Sequence, residues 1–300
     1  MLGREQIISV ESGLLVLAPA KINLSLLIAG KRPDGFHEIE TVMAKINWYD
    51  EILIQPGRSP GIELICRGPC WAPKGPDNLV YQAAEMLLKS CELSADVKIT
   101  LTKNIPAGSG LGSASSDAVA TLIGLNKFLK LEYDIKSLVM LAAKLGSDVA
   151  FFLGGPLAFC TGKGEKIREL NENFDFIALL ILPDVSISTK EAYAHYQHDS
   201  ALYIKLSKRI NSYIRKNRID LLSKECVNML EKSSFRLAAN LAELKGMIES
   251  LEIGPCCLSG SGSAMFCLIE SGDEEKAIKY KLKVEEKVGC TSMIVRNNRW

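Results

Sequence analysis

The segment from Lys103 to Leu122, KNIPAGSGLGSASSDAVATL, places glycines and small hydroxyl residues directly before an apolar helical pattern. Glycine leaves backbone N–H groups unshielded by a Cβ, and a helix N-terminus adds roughly half a positive charge. Such a loop between a strand and a helix predicts a phosphate-binding site. Its serines Ser113, Ser115 and Ser116 carry hydroxyls that could cap the helix or meet a phosphate or its magnesium ion.

The pattern of this loop differs from two common nucleotide-binding motifs. No Gly-Lys-Ser/Thr ends it, so it is not a Walker A motif, and glycines at 108, 110 and 112 do not fit G-x-G-x-x-G. A tight structural turn is therefore the alternative interpretation. The length of the loop and its position between a strand and a helix favour the phosphate site.

Two other segments contain residues that could support a transfer reaction. Lys21 lies at a strand start in APAKINLSL, and Asp148 lies among apolar residues just after a predicted helix end in LGSDVAFFLGG. Asp148 could simply cap a helix. A desolvated carboxylate paired with a lysine could instead accept a proton from an alcohol, while the lysine keeps the carboxylate ionised and stabilises charge on a transferring phosphoryl group.

The elements that must position these residues follow from periodicity. Alternation in LLVLAPAKINLSLLI predicts a strand, and further strands are predicted at 51–55, 61–66 and 97–101. Helices are predicted over about 78–89, from near Ser115 and from about Asp134, the last ending near Gly146. The glycine loop thus connects a predicted strand to a predicted helix.

The second half of the chain has its own pattern. The buried strands FIALLIL, AMFCLI and SMIV alternate with helices, of which the clearest carries Leu237, Leu241, Leu244, Ile248 and Leu251. This order predicts an open-faced α+β domain with a β-α-β-β-α-β arrangement. The polar segment LNENFD separates the halves, so we predict domains at 1–172 and 173–300.

The composition excludes several classes of protein. With 36 basic and 35 acidic residues the formal charge is +1, so no overall charge favours nucleic acid or an anionic membrane. The basic segment 205–218 has apolar residues at helical spacing and is interpreted as a solvated helix face rather than a nucleic-acid site. The nine cysteines contain no C-x-x-C and predict reduced, mostly buried thiols, and with three histidines a zinc site is not expected.

The N-terminal residues lack the pattern of a secretory signal, and no window approaches the roughly 18 uninterrupted apolar residues of a membrane span. We therefore expect a cytoplasmic protein that binds neither nucleic acid nor a membrane. A monomer or a homodimer is expected.

Taken together, these segments resemble the GHMP kinases. The family's signature loop reads close to P-x-x-x-G-L-G-S-S-A, and here it is PAGSGLGSAS; the family's C-terminal glycine loop resembles CLSGSGSAMFCL. Within the superfamily, PAKINLSLLIAGKRPDGFHEIETVM, GSDVAFFLGG and DVSISTKEAY resemble the branch that phosphorylates the 2-hydroxyl of 4-diphosphocytidyl-2-C-methyl-D-erythritol in the non-mevalonate isoprenoid pathway. The resemblance runs from about Ala18 to Leu268, with four motifs in the family's order.

The resemblance implies a fold and a set of roles. The fold is the α+β, two-domain GHMP kinase fold, with an N-terminal domain like domain 2 of ribosomal protein S5, including a left-handed βαβ crossover, and a ferredoxin-like C-terminal domain. Asp148 would be the general base, and Lys21 would hold both this aspartate and the γ-phosphoryl group of ATP. Asn78 and Lys103 would lie toward the nucleoside, and the ATP phosphates would be wrapped by Pro106, Ala107, Gly108, Ser109, Gly110, Leu111, Gly112, Ser113, Ala114, Ser115 and Ser116.

The remaining implied roles concern magnesium and the acceptor. Ser115 is the candidate magnesium ligand. Asn23 and His37 match substrate positions, with His37 reading the cytosine edge, while Phe36 and Tyr193 match the pair that sandwiches the cytosine ring. Gly260 and Gly262 would approach the diphosphate or the methylerythritol end of the substrate. Without the resemblance, core packing would explain either aromatic residue equally well.

The sequence departs from the family pattern at a few positions. Ser109, Ser113 and Ala114 stand where close relatives usually carry glycine, Phe36 replaces a common tyrosine, and Ala150 replaces a usual proline. None of these changes removes a group that performs chemistry. Two other readings stay open: another GHMP kinase acting on homoserine or a mevalonate derivative, and a catalytically silent relative that binds a ligand.

Overall fold

The structure is a computed structural model that describes residues 5–170, 174–225, 227–269 and 273–300. Its first half forms one seven-stranded sheet, whose strands are β1 (Ile7–Val10), β2 (Gly13–Lys31), β3 (His37–Pro56), β4 (Ile62–Arg67), β5 (Val97–Thr102), β6 (Leu157–Gly162) and β7 (Lys166–Glu169). The helices of this half are α1 (Leu79–Ser90), α2 (Ser113–Phe128) and α3 (Ile135–Leu145). Two short 3₁₀ turns lie at Gly75–Asp77 and Ala150–Leu153.

The long strands β2 and β3 form the centre of this sheet. They pair antiparallel along nearly their whole length, and this register places Lys21 opposite Lys45. Since side chains in a strand alternate between faces, directly opposed residues lie on the same face of the sheet. Helix α2 packs on this sheet with Ala118, Leu122 and Leu125 fully buried, as the sequence spacing predicts.

The glycine loop occupies the predicted place between a strand and a helix. β5 ends at Thr102 and α2 begins at Ser113. Strand β5 runs parallel to β4 and is connected to it through α1, which makes a β-α-β unit. The loop therefore emerges from the sheet interior beside β3.

The second half forms a four-stranded antiparallel sheet. Its elements are β8 (Ile177–Leu182), α4 (Thr189–Ala194), α5 (Ser200–Arg215), α6 (Ile219–Glu225), α7 (Glu231–Leu237), α8 (Ala239–Glu249), β9 (Cys256–Leu258), β10 (Met265–Ile269), α9 (Glu274–Val288) and β11 (Thr291–Arg296). The strand order β11-β8-β10-β9, with helices before β9 and before β11, confirms the predicted β-α-β-β-α-β arrangement. α5 contains most of the basic segment and buries Leu206, Ile210 and Ile214, as expected of an amphipathic surface helix.

Some local predictions differ from the structure. The predicted helix that carries Leu237 to Leu251 is shorter in the structure. α8 covers only Ala239–Glu249, and Leu237 ends the preceding helix α7, because the chain leaves helical geometry at Ala238, with φ −142° and ψ 84°. The strand predicted at 51–55 is the end of the 20-residue strand β3. Neither Gly nor Pro marks the break at Ala238, so the apolar spacing alone did not reveal it.

The boundary predicted between 172 and 173 lies outside the described residues. The first sheet ends at Glu169 and the second begins at Ile177, and the exact position of the boundary stays a prediction. Seven of the cysteines are free, namely Cys66, Cys70, Cys91, Cys160, Cys256, Cys267 and Cys290. Cys257 takes part in a disulfide bond, so the prediction of reduced thiols is wrong for this residue.

Within the described ranges no helix has the length and apolar character to span a membrane.

Candidate active site

A cavity of about 1000 Å³ lies between the two sheets and their loops. It brings together residues that are far apart in the sequence, from β2, the glycine loop, the segment after α3, the start of α4 and the loop after β9. The predicted site residues that line it are Lys21, Asn23, Phe36, His37, Pro106, Ala107, Gly108, Ser109, Gly110, Gly112, Ser113, Ala114, Ser115, Asp148, Tyr193 and Gly260. Most of the predicted site thus forms one surface.

The glycine loop takes a conformation that requires its glycines. Gly108, Gly110 and Gly112 have φ of 68°, 78° and 71°, in the left-handed region that favours glycine. Ser109, Ser113 and Ala114, which replace glycines of the family pattern, are not among the residues with positive φ. These three substitutions therefore impose no strain on the described backbone of the loop.

The loop also ends in an open helix terminus. Gly112 is the N-cap of α2 and supplies no capping side chain, so the first N–H groups of a 16-residue helix are available beside the cavity. Ser115 lines the cavity and is half-buried, whereas Ser116 is buried, and its Oγ has no hydrogen-bond partner among the residues that the structure describes. Ser109 Oγ donates to the carbonyl of Pro106 at 2.7 Å, which tightens the loop. This cradle of N–H groups and small side chains fits the phosphates of a nucleotide.

A second glycine loop packs against the first. A Cβ at Gly110 would lie 2.0 Å from the carbonyl oxygen of Ser259, and the N–H of Ala264 donates to the carbonyl of Ser109 at 3.0 Å. Ser259 Oγ donates to the carbonyl of Gly110 at 3.0 Å. The close approach is possible because Gly110 has no side chain, and it fixes the two halves of the cavity together.

Lys21 lies between these loops and is 3% exposed. Its ammonium group donates to Asn23 Oδ1 at 2.5 Å and to the carbonyl of Gly110 at 2.8 Å. Burial lowers the pKa of Lys21, an effect that the negative charge of Asp148 opposes. The amine is thus oriented by neutral oxygens and faces the cavity.

Asp148 faces the same space from the segment after α3. Its Oδ2 lies 4.0 Å from Lys21 Nζ, its side chain is 36% exposed, and Ser147 Oγ donates to its Oδ1 at 3.4 Å. The 3₁₀ turn that follows has Val149 as its N-cap, without a side-chain cap. The carboxylate therefore has only long contacts in the described chain and is open to the cavity.

The far end of the cavity is aromatic. The ring of His37 is stacked on Tyr193, with centroids 5.1 Å apart and an interplanar angle of 28°, and Tyr196 contacts His37 edge-on at 5.9 Å. Phe36 is 54% exposed. Partial burial, together with the positive charges of Lys31 and His198, lowers the pKa of His37. A neutral imidazole with one donor and one acceptor nitrogen is favoured at neutral pH.

Comparison with known proteins agrees with this geometry. Residues 78–156 match the model of the GHMP kinases N terminal domain, and residues 210–286 match that of the GHMP kinases C terminal domain. A 4-diphosphocytidyl-2-C-methyl-D-erythritol kinase from Geobacillus sp. (strain WCH70) is 36% identical over 257 residues, which cover 86% of this chain and 88% of the relative. The chain belongs to the GHMP kinases.

Solved structures support the same conclusion. A crystal structure of 4-(cytidine 5'-diphospho)-2C-methyl-D-erythritol kinase superposes with a TM-score of 0.74 at 29% identity, covering 95% of this chain and 100% of that one. Homoserine kinase from Cytophaga hutchinsonii also has a TM-score of 0.74, at 21% identity, with 99% of this chain and 98% of that chain covered. At this lower identity the likeness shows only the fold. The expected two-domain GHMP kinase fold is confirmed.

Two residues expected near the nucleoside have other partners in this GHMP kinase. Asn78 caps α1 by accepting from the N–H of Val80 at 2.9 Å, and it donates to the carbonyl of Pro73 at 2.8 Å. Lys103 is buried in an ion cluster with Asp50 and Asp117. Neither side chain is among those that line the described cavity, and the same is true of Leu111, Ser116 and Gly262.

Other cavity residues of the GHMP kinase were not predicted. Lys163 Nζ lies 4.6 Å from the centroid of the Phe36 ring, and Thr189 and Ser261 share a hydrogen bond of 2.9 Å across the cavity wall. Lys163 lies between two glycines after a strand, which is an ordinary turn pattern. Ser261 lies inside the second glycine loop, which was the only sequence signal for it.

Proposed function

We propose that this kinase transfers the γ-phosphoryl group of ATP to the 2-hydroxyl of 4-diphosphocytidyl-2-C-methyl-D-erythritol. The observation that carries the proposal is one cavity that holds a lysine-carboxylate pair beside a glycine loop and a histidine-aromatic cluster at its other end. The lysine-carboxylate pair suits phosphoryl transfer to an alcohol. The histidine-aromatic cluster suits the binding of a flat ring that forms hydrogen bonds. The names of the relatives support the same acceptor.

In the proposed reaction, Asp148 accepts the proton of the 2-hydroxyl. The acceptor oxygen forms a bond to the γ-phosphorus while the bond to the β,γ-bridging oxygen breaks, and ADP leaves with that electron pair. Lys21 is 4.0 Å from Asp148, so one ammonium group can keep the carboxylate ionised and stabilise the charge on the phosphoryl group. Positioning and electrostatics thus provide the catalysis.

ATP binding is assigned to the loop and the open terminus of α2. We propose that N–H groups within 106–116 hold the phosphates. If magnesium binds together with the nucleotide, the hydroxyl of Ser115 would be a ligand, and Mg²⁺ commonly keeps waters and phosphate oxygens as its other ligands. The described residues contain no group of three His, Cys, Asp or Glu side chains that could hold a metal by themselves. When bound, magnesium would neutralise phosphate charge.

Acceptor binding is assigned to the other end of the cavity. We propose that Phe36 and Tyr193 stack on the cytosine, His37 hydrogen-bonds its edge, and Asn23 and Gly260 contact the rest of the substrate. Asn23 Nδ2 donates to Thr41 Oγ1 at 2.8 Å and its Oδ1 accepts from Lys21, which fixes the amide orientation. The exposed face of Phe36 leaves area for stacking.

A coupled ADP-release assay with purified protein tests the function. The cytidine substrate, homoserine and mevalonate are offered separately with ATP and magnesium, and the product of the positive reaction is identified by ³¹P NMR. We expect turnover of the cytidine substrate alone, with a phosphomonoester at the 2-position. Turnover of homoserine alone would contradict the proposed acceptor, and no turnover at all would contradict kinase activity on these acceptors.

A further inference from the structure

Strand β3 carries a buried lysine that the proposed reaction does not use. Lys45 is 1% exposed and lies directly opposite Lys21 in the β2–β3 register. Burial lowers the pKa of Lys45 to about 8, so at neutral pH the amine is still largely protonated. An ammonium in this position needs oxygen partners, since a buried charge without them is strongly unfavourable.

The partners of this ammonium group belong to one short segment. Lys45 Nζ donates to the carbonyl of Phe152 at 3.0 Å and to the carbonyl of Gly154 at 2.6 Å, and the backbone N–H of Lys45 donates to the carbonyl of Pro156 at 2.8 Å. Glu169 of β7 accepts the N–H of Gly155 at 2.8 Å and is the carboxylate that raises the pKa of Lys45. The segment 152–156 is therefore hydrogen-bonded to two strands of the sheet, to Lys45 of β3 and to Glu169 of β7.

This segment directly follows Asp148. The N–H of Phe152 donates to the carbonyl of Val149 at 3.1 Å, so the 3₁₀ turn connects the attached residues to Asp148 through consecutive hydrogen-bonded residues. The contacts of the Asp148 carboxylate itself are long, 3.4 Å to Ser147 and 4.0 Å to Lys21. The position of the carboxylate consequently depends on the backbone that carries it.

The same turn also contacts the rest of the site. A Cβ at Gly112 would lie 3.0 Å from the ring of Phe152 and 3.0 Å from the side chain of Lys21. Phe152 and Lys21 thus both pack against the N-cap of α2, while the carbonyl of Phe152 accepts from Lys45. A shift of this carbonyl would move Asp148 and the surroundings of Lys21 together.

We propose that Lys45 is a positioning residue for the transfer step, which holds the 150–154 turn so that Asp148 stands at the correct distance from Lys21 and the acceptor hydroxyl. The proposal rests on the proposed function of Asp148. Without the ammonium group, two buried carbonyls lose their donor and the turn relaxes toward other partners. Misplacement of a reacting group by about 1 Å can cost about 10²-fold in rate.

Two substitutions at Lys45 and one control test this role. Lys45→Met keeps the approximate length and removes all donors, whereas Lys45→Gln keeps two N–H donors without the charge. Lys166→Met, on the exposed strand β7, is the control. For each protein, kcat, the KM for ATP, the KM for the cytidine substrate and the melting temperature are measured.

We expect Lys45→Met to lower kcat by about 10-fold or more, with both KM values within about threefold of wild type, as for a group that acts only on the transition state. Lys45→Gln should recover part of this loss, and Lys166→Met should match wild type. A variant that merely damaged the fold would lower the melting temperature and leave the kcat of the folded enzyme unchanged.

Unchanged kcat in Lys45→Met would overturn the proposal, and so would a loss that appears equally in kcat and in both KM values. If Lys45→Met does not fold, Lys45→Gln decides: lowered kcat with unchanged KM and melting temperature supports the role, and wild-type kcat overturns it. Absence of turnover in the wild-type protein would instead contradict the proposed function.

Discussion

Lys21 and Lys103 are both buried lysines that contact the glycine-loop region, yet their partners differ. Lys103 pairs with two buried carboxylates, Asp50 and Asp117, the latter at 2.8 Å. Lys21 donates to an amide oxygen and a backbone carbonyl, and its nearest carboxylate is 4.0 Å away. Accordingly the pKa of Lys103 is raised by its two carboxylates, and that of Lys21 is lowered by burial.

The difference shows how the partners of a buried charge decide its use. Asp50 also accepts the N–H groups of Asn104 at 2.5 Å and Ile105 at 2.9 Å, so the Lys103 cluster connects β3, the start of the loop and helix α2. Its charge is neutralised by these contacts. The positive charge of Lys21 is balanced less, because the Asp148 carboxylate is 4.0 Å away. The ammonium group faces the cavity, where it could contact a phosphoryl group. Lys21 is 3% exposed and Lys103 is 2% exposed, so exposure alone would not distinguish the two lysines.

The largest expected effect concerns Lys103. Lys103→Met should lower the free energy of unfolding by about 3–5 kcal/mol, because it leaves buried carboxylates without their counterion. Urea unfolding measures this loss, and Lys98→Met on the same strand is the control. If stability is retained and only the KM for ATP rises, Lys103 is a nucleoside contact and not the centre of a structural cluster.

Asp148→Asn tests the pair formed by Lys21 and Asp148, whose charged atoms are 4.0 Å apart. We expect kcat to fall by about 10² or more, since the amide keeps the shape and cannot act as a general base, while ATP affinity changes little. Steady-state kinetics and ATP-analogue binding measure the two quantities. Asp134→Asn is the control, because Asp134 is a helix cap that accepts the N–H of Ser137 at 2.8 Å. Near-normal kcat in Asp148→Asn would show that this carboxylate is also structural.

Phe36→Ala should affect binding of the acceptor more than chemistry. Removal of one stacking ring is expected to raise the KM for the cytidine substrate by about 10-fold, on the scale of about 1 kcal/mol for an aromatic contact, with unchanged KM for ATP. Trp71→Ala, which removes an aromatic side chain that is 74% exposed, is the control. An unchanged KM for the cytidine substrate would contradict the stacking role of Phe36.

The smallest expected effect concerns the pH dependence of stability. Burial raises the pKa of Asp117 to about 8 in the folded protein. A raised folded-state pKa gives a stabilisation that is present below the unfolded value near 3.9 and is lost as pH rises toward 8. Between pH 7 and pH 8 the wild type should therefore lose about 1 kcal/mol relative to Asp117→Asn.

Urea unfolding at several pH values measures the Asp117 effect, with Asp77→Asn at an exposed position as the control. Parallel curves for wild type and Asp117→Asn would show that Asp117 stays ionised beside Lys103. In that case the Lys103 cluster would be fully charged throughout this range.

Much of the fold could be predicted because its signals are local. The period-2 pattern of β2, the apolar spacing of α2 and the glycines at 108, 110 and 112 depend on neighbouring residues only. The order of strands and helices in the second half was confirmed for the same reason. The break at Ala238 was missed because no residue type marks it.

The candidate site was predictable only in part. Lys21, Asp148 and the loop stood out by residue type within glycine-rich or apolar surroundings, and they line one cavity. Asp50, Asp117 and Lys45 carried no such signal, although each contacts or supports the loop or the turn after Asp148. Their partners lie 14 to 109 positions away in the chain.

By itself, the sequence determined the family, the order of the elements and the residue types able to hold a phosphate and take a proton. Only the tertiary structure decided the role of each buried lysine. Lys21 faces the cavity, Lys103 is paired with carboxylates, and Lys45 donates to the turn that follows Asp148. The reason is physical: the state of a charge depends on its burial and on the oxygens within hydrogen-bond distance. In this protein most of those oxygens come from other strands and loops, through the β2–β3 register and the contact between the two glycine loops.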